Sequence, residues 1–310
     1  MPRMTIESAS RKLVAEFSSR RTLRTGSLIT TVFGDSIAPR GGTVWLGSLI
    51  TAMGEFGISE RLVRTSVFRL VQDGWLQSNQ VGRRSYYSLT DEGRERFAQA
   101  THRIYGEPST SWDHNWTLIL LADLNADLKE AVRKELSWLG FGALSTGTLA
   151  HPAPDRSDLE ITLRRLGVAD DVVVMSAQTD VNEAAMRKLA QASWALDDID
   201  DRYASFVKRF QPLISAYGKN ASVSAKTAFL VRTLLIQEYR KILLRDPLLP
   251  AELLPSGWHG IAAYQLCRNL YRAIHVSADN YLTDVMETAA GPLPAPARGY
   301  FERFGGLDND

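Results

Sequence analysis

The sequence predicts an α+β protein in three parts, on three observations. A basic amphipathic segment at 59–73 runs straight into two short strand-like stretches, at 76–80 and 85–89. Between 116 and 175 the pattern reads strand, helix, strand, strand, helix, strand. From 182 onward nearly all apolar periodicity is helical. The chain of 310 residues, 45% hydrophobic and 23% charged, has a globular composition and room for two or three domains. The expected division is 1–105, 112–180 and 181–310.

Residues 1–22, with Arg11, Lys12, Arg20 and Arg21, read as a loosely ordered basic arm or a short helix. Gly26 to Phe33 and Val44 to Phe56 predict two helices, separated by the breaker cluster Ala38-Pro39-Arg40-Gly41-Gly42. In the next segment Val63, Ser66, Val67 and Leu70 fall at i, i+3, i+4 and i+7, one buried stripe. Ser59 is a suitable N-cap, and Asp73-Gly74 a suitable C-terminal stop. Off the stripe lie Arg61, Arg64, Thr65 and Arg69. Arginine neutralises phosphates and can grip guanine O6 and N7 with both arms of its fork. Each of these arginines is also readable as a solvated charge on an ordinary surface helix. Phe68, apolar but off the stripe, is expected in core or interface packing. The basic turn Val81-Gly82-Arg83-Arg84 joins the two strands into a hairpin, so helix and hairpin together have the layout of a winged helix-turn-helix. Thr90 then caps a helix to about Tyr105.

Charge follows the same division. Net charge is +1 overall, but residues 1–105 carry 15 Lys+Arg against 9 Asp+Glu, and residues 106–310 carry 21 against 26. A basic head on an acidic remainder suits a nucleic-acid-binding module attached to a body with another task.

After a linker at 106–111, Trp116 to Leu121 predicts a buried strand, 126–139 a helix, 141–144 and 147–150 weaker strands around Ser145-Thr146, 158–166 a helix, and 171–175 another buried strand. That order is the ferredoxin-like split βαβ arrangement, a fold that hosts many functions. Helices are expected at 182–195, from Asp200 to a break at Gln211-Pro212, at 224–244, at 260–275 and near 277–287, with a proline-punctuated connector at 246–255.

No apolar run has the length of a membrane span and no signal-peptide core is visible, so a cytoplasmic location is expected. Cys267 is the one cysteine, and the histidines at 102, 114, 151, 259 and 275 have no metal-ligand spacing. The acids at 197–201 fit a helix dipole without a cation. No nucleophile elbow or phosphate-cradling loop is present, and neither an enzyme nor a resident cofactor or metal is expected.

Arg40-Gly-Gly-Thr-Val-Trp-Leu-Gly-Ser-Leu, Glu60-Arg-Leu-Val-Arg-Thr-Ser-Val-Phe-Arg-Leu and Gly82-Arg-Arg-Ser-Tyr-Tyr-Ser-Leu resemble the N-terminal domain of the PaaX family. Trp138-Leu-Gly-Phe-Gly-Ala-Leu, Arg245-Asp-Pro-Leu-Leu-Pro-Ala-Glu-Leu-Leu-Pro, Gln265-Leu-Cys and Phe301-Glu-Arg-Phe-Gly-Gly-Leu extend the resemblance over essentially the whole chain. It implies a homodimeric repressor of bacterial phenylacetate breakdown genes, released from a palindromic operator by phenylacetyl-coenzyme A. It also implies three parts: a winged helix-turn-helix, a middle domain like the small nuclease Cas2, and a helical C-terminal domain. The DNA-contacting set would be Arg61, Arg64, Thr65 and Arg69 on the recognition helix with Arg83 and Arg84 on the wing. An acyl-CoA effector needs cations for its phosphates and an apolar slot for its acyl group. Tyr239, Arg240, Lys241 and Arg245, with Trp258, Tyr264, Arg268 and Tyr271, offer both, although such a cluster is more often packing with solvated cations. The alternative is a metal-dependent nuclease of Cas2 type centred on Asp123, just after the first strand of the middle domain; a helix-cap role is the plainer reading of that residue.

Overall fold

The computed structural model of the chain describes residues 5–19, 25–108, 112–121, 124–152, 154–179, 183–217 and 223–307. They form two units, one of residues 1–107, 206–240 and 262–310, the other of 108–205 and 241–261. The helices expected to form one domain from 181 onward are thus divided between the two. Sequence periodicity shows that a helix has an apolar face but not which partner covers it.

The first unit opens with α1 (Ile6–Ser18), a packed helix rather than a loose arm. Ile6, Ala9, Leu13 and Phe17 recur at helical spacing and are buried, and the Thr5 hydroxyl accepts from the Ser8 N–H at 3.3 Å. Arg20 and Arg21 lie outside the described residues. α2 (Thr25–Val32) runs into a single π-helical turn at Phe33–Ile37, and Gly41 and Gly42 then reverse the chain at φ +85° and +70°. Val44, expected to start a helix, instead lies in β1 (Thr43–Trp45), where it pairs opposite Tyr87. α3 (Leu46–Gly54), α4 (Glu60–Gln72), β2 (Leu76–Val81), β3 (Arg84–Leu89) and α5 (Asp91–Tyr105) follow, with strand order β1-β3-β2. The set is a winged helix-turn-helix.

In the second unit β4 (Asn115–Leu120), α6 (Ala126–Trp138), β5 (Gly142–Ser145), β6 (Thr148–His151), α7 (Arg156–Arg165) and β7 (Val173–Gln178) form an antiparallel sheet of order β5-β6-β4-β7, the ferredoxin-like arrangement. Alternation along the strands builds two cores. Ile119 and Leu149 pack with Val132 and Leu136 of α6 and Leu159 and Leu163 of α7. Trp116 and Ala150 pack with Trp112, with Met186 of α8 (Glu183–Ser193), and with Leu249 and Leu253. The expectation of a buried last strand fails at β7. It is an edge strand hydrogen-bonded to β4 alone, and Val173, Val174 and Met175 are exposed.

α9 (Leu196–Ala216) continues through Pro212 instead of breaking there. Phe206, Phe210 and Leu213 are buried on one face, and packing of that face outweighs the hydrogen bond proline cannot make. α10 (Ala225–Leu243) follows. α11 (Gly260–Val285) is one helix rather than two, since Ile274, Ala278, Tyr281 and Leu282 carry the same buried face past the expected interruption. A short hairpin of β8 (Glu287–Thr288) and β9 (Gly291–Pro292) and the helical turn α12 (Arg298–Phe301) finish the chain.

The three segments of the first unit are joined in part by buried charge. Asp35, in the π-turn, accepts hydrogen bonds from the hydroxyls of Tyr105 and Tyr271 at 2.7 and 2.9 Å and from Arg303 at 3.1 Å. Arg232 Nε lies 3.0 Å from its other oxygen, and both side chains are fully inaccessible. Arg232 also meets Asp279 at 2.6 Å, as does Arg40 at 2.8 Å. Burial alone would push the Asp35 carboxyl up, but the two guanidiniums and the two tyrosine hydroxyls outweigh it and hold it below the ordinary carboxylate value. Nearby, Phe229 of α10 stacks on Tyr281 of α11 at 4.6 Å and meets Phe56 edge-on at 5.8 Å.

Candidate nucleic-acid interface

The exposed face of α4 follows from how the helix is anchored. Ser59 has the extended backbone of an N-cap, φ −68° and ψ 150°, but its hydroxyl makes no capping bond, contrary to expectation. The C-terminal end closes as expected. Gly74 is left-handed at φ +74°, its N–H donates to the Val71 carbonyl at 3.1 Å, and the Trp75 N–H donates to the Leu70 carbonyl at 2.9 Å. Trp75 meets Phe97 of α5 edge-on at 5.6 Å, and Arg96 lies 4.9 Å over its ring, which fixes the exit of the chain into the hairpin.

Val63 and Val67 are fully buried and Ser66 and Leu70 half-buried, so Arg61, Arg64, Thr65 and Arg69 face outward. Two of the four are tied to their own helix. Arg64 holds Glu60 with Nη2 and Nε at 2.7 and 2.8 Å, and the Thr65 hydroxyl donates to the Arg61 carbonyl at 2.9 Å. Phe68 is not in the core. It is 64% exposed on the outward face, one turn on from Arg64 and Thr65.

β2 and β3 pair from Leu76↔Leu89 to Val81↔Arg84, leaving Gly82-Arg83 as a two-residue turn with Gly82 at φ +61°. The wing tip is therefore Arg83, exposed to solvent. Arg84 is held at the base of the tip. It bonds Glu287 of β8 at 2.8 Å and lies 4.2 Å over the Trp45 ring. Glu287 in turn is fixed by its backbone N–H, which donates to Ser48 Oγ at 3.0 Å. Sequence reasoning missed Glu287 altogether; no local pattern marks it.

The effector candidates fall in different units. In the first, Tyr239 is buried and its ring lies 5.5 Å from Phe206. Arg240 donates to the Ser27 carbonyl and hydroxyl at 3.1 and 2.9 Å. It also borders a recess with Thr30, Gly34, Phe97, Ile104 and Ile236. That recess leaves about 20 Å³ of free space, far too little for a drug-sized ligand or an acyl-coenzyme A. Tyr264 is buried beside Phe304, with its hydroxyl and Arg268 Nε unpartnered among the described residues, and Tyr271 belongs to the Asp35 cluster. In the second unit Arg245 and Lys241 are exposed, and Trp258 packs edge-on to Tyr203 at 5.7 Å. Asp123 lies outside the described residues. Among those described, no group of histidine, cysteine and carboxylate side chains could hold a metal, and no helix is long and apolar enough to cross a membrane.

Helix α4, its turn from α3 and the basic-tipped hairpin define a winged-helix protein, joined here to a ferredoxin-like module. The PaaX-like protein family matches residues 24–93, the PaaX protein central Cas2-like domain matches 109–190, and the PaaX-like protein C-terminal domain matches 194–284. The chain belongs to the PaaX family. It is 40% identical over 285 residues to the transcriptional repressor PaaX of Escherichia coli (strain K12), covering 91% of this chain and 90% of that protein. A solved structure of the uncharacterized protein Rv0674 from Mycobacterium tuberculosis superposes with a TM-score of 0.50 at 24% identity, over 75% of this chain and 89% of that one. That likeness concerns the fold alone.

Proposed function

We propose that this chain is a DNA-binding transcriptional repressor of phenylacetate breakdown genes, acting in the cytoplasm as a homodimer on a palindromic operator and released by phenylacetyl-coenzyme A or a related acyl-CoA. The observation that carries the DNA reading is the outward face of α4, where Arg61, Arg64, Thr65 and Arg69 stand clear of the core, followed by the hairpin with its exposed tip residue Arg83. Two-fold symmetry of a dimer would set two such helices in successive major grooves, and the wing would follow the backbone or minor groove. The likeness to a transcriptional repressor over nine-tenths of both chains supports a regulator rather than an enzyme.

For the effector, the residues proposed are Tyr239, Arg240, Tyr264 and Arg268 of the first unit and, as a separate candidate, Arg245 and Trp258 of the second. Release requires the acyl-CoA to bind the DNA-incompetent form more tightly, since equal affinity for both forms shifts nothing. The test is a gel shift with DNA from upstream of the genes neighbouring this one. Loss of the shift with phenylacetyl-CoA, but not with free coenzyme A or phenylacetate, is the expected result. A shift indifferent to the thioester refutes this effector and leaves DNA binding standing.

A further inference from the structure

We infer that Phe68 and Thr65 of α4 read thymine methyl groups in the major groove, making hydrophobic contact the base-specific part of recognition. The inference rests on the DNA-binding reading and specifies what that surface recognises. On a helix whose buried stripe is Val63 and Val67, Phe68 is 64% exposed, one turn on from both Arg64 and Thr65. An exposed phenylalanine ringed by cations is poorly placed for a protein core and well placed for a groove whose walls are phosphates.

The polar neighbours have less to offer a base edge than their types suggest. Thr65 has spent its hydroxyl hydrogen on the Arg61 carbonyl, so it can present only an acceptor oxygen and its methyl group. Arg64 has Nε and Nη2 turned to Glu60, leaving it less of the open fork that grips guanine O6 and N7. Arg61 and Arg69, a turn before and one residue after Thr65 and Phe68, can each neutralise a phosphate without reading sequence. The thymine C5-methyl is the one apolar group exposed in the major groove, and threonine methyl and phenylalanine are side chains that meet it.

The test uses the full-length protein and a duplex site selected by it from a random-sequence pool. The site is resynthesised with deoxyuridine replacing each thymine in turn, which deletes the methyl and leaves every hydrogen-bonding group. At one or two positions per half-site the wild-type protein should lose about fourfold in affinity, the expectation for one buried methyl. Phe68→Ala, at an exposed position, should lose that discrimination at the position Phe68 contacts, with the salt dependence of the wild type. Equal affinity of the wild-type protein for thymine and uracil sites overturns the inference and leaves DNA binding intact. Retained discrimination in Phe68→Ala together with dissociation in sedimentation overturns it too, and assigns Phe68 to contact between protein copies. Failure to select any site removes the DNA-binding reading itself.

Discussion

Asp35 shows how one residue can decide whether a module holds. Its carboxylate is inaccessible to water and is matched by Arg232, Arg303, Tyr105 and Tyr271. Removing one partner of a buried ion pair costs about 3–5 kcal/mol, because the remaining charges stay buried and uncompensated. Asp35→Asn should therefore lower urea stability by about that amount at neutral pH. The sign with pH follows from the lowered pKa. Stability from this group is complete above the ordinary aspartate value, about 3.9, and is lost as pH falls through the lower folded value. Wild type and variant should converge in acid; a difference that is constant with pH, or that is absent at pH 7, contradicts the role given to Asp35. None of this is legible in the sequence. Asp35 sits in an unremarked Phe-Gly-Asp-Ser, and its partners Tyr105, Tyr271 and Arg303 lie 70, 236 and 268 positions away.

At the scale of elements, the parts that carry local signals were readable. α4 has its apolar stripe and glycine stop, and the hairpin has its glycine-containing basic turn at 81–84. The ferredoxin-like order follows from six short segments in sequence. Failures occurred where a distant partner overrides a local rule, as at Val44, Pro212 and the α11 interruption. Arg83 and Arg84 illustrate the limit. As neighbours in sequence they looked equivalent, yet Arg83 is the free tip and Arg84 is bound to Glu287, 203 positions away, and to Trp45. Their substitutions should separate. Arg83→Ala should weaken DNA binding severalfold and lower the salt slope by about 1.8, the share of two phosphate contacts, one from each copy. Arg84→Ala should instead speed amide exchange through β2 and β3 by releasing the wing. Identical behaviour of the two in both measurements contradicts the division.

For the whole molecule, the charge asymmetry carries the clearest expectation. Residues 1–105 hold the excess of cations, and Arg61, Arg64, Arg69 and Arg83 are outward among them. Two copies on one operator could neutralise phosphates through all eight, which gives a limiting slope of log affinity against log salt of about −7. A slope shallower than about −2 would mean these arginines do not meet the backbone. The succession of winged helix, ferredoxin-like sheet and helical stretch was legible because each has its own periodicity. The division of the last 130 residues between two units was not, because helical faces do not name their partners.

The first unit is assembled from three stretches of chain, and Arg303, which bonds Asp35, belongs to the last of them. A ribosome adding about 5–20 residues per second completes α4 and the wing many seconds before it delivers Arg303. Through that interval the nascent head lacks the cation and the helices that cover its core. Chains ending early, or clipped near the C-terminus, would then be deprived of a stable DNA-binding head rather than merely of a tail. For a repressor, this ties occupancy of the operator to completed synthesis.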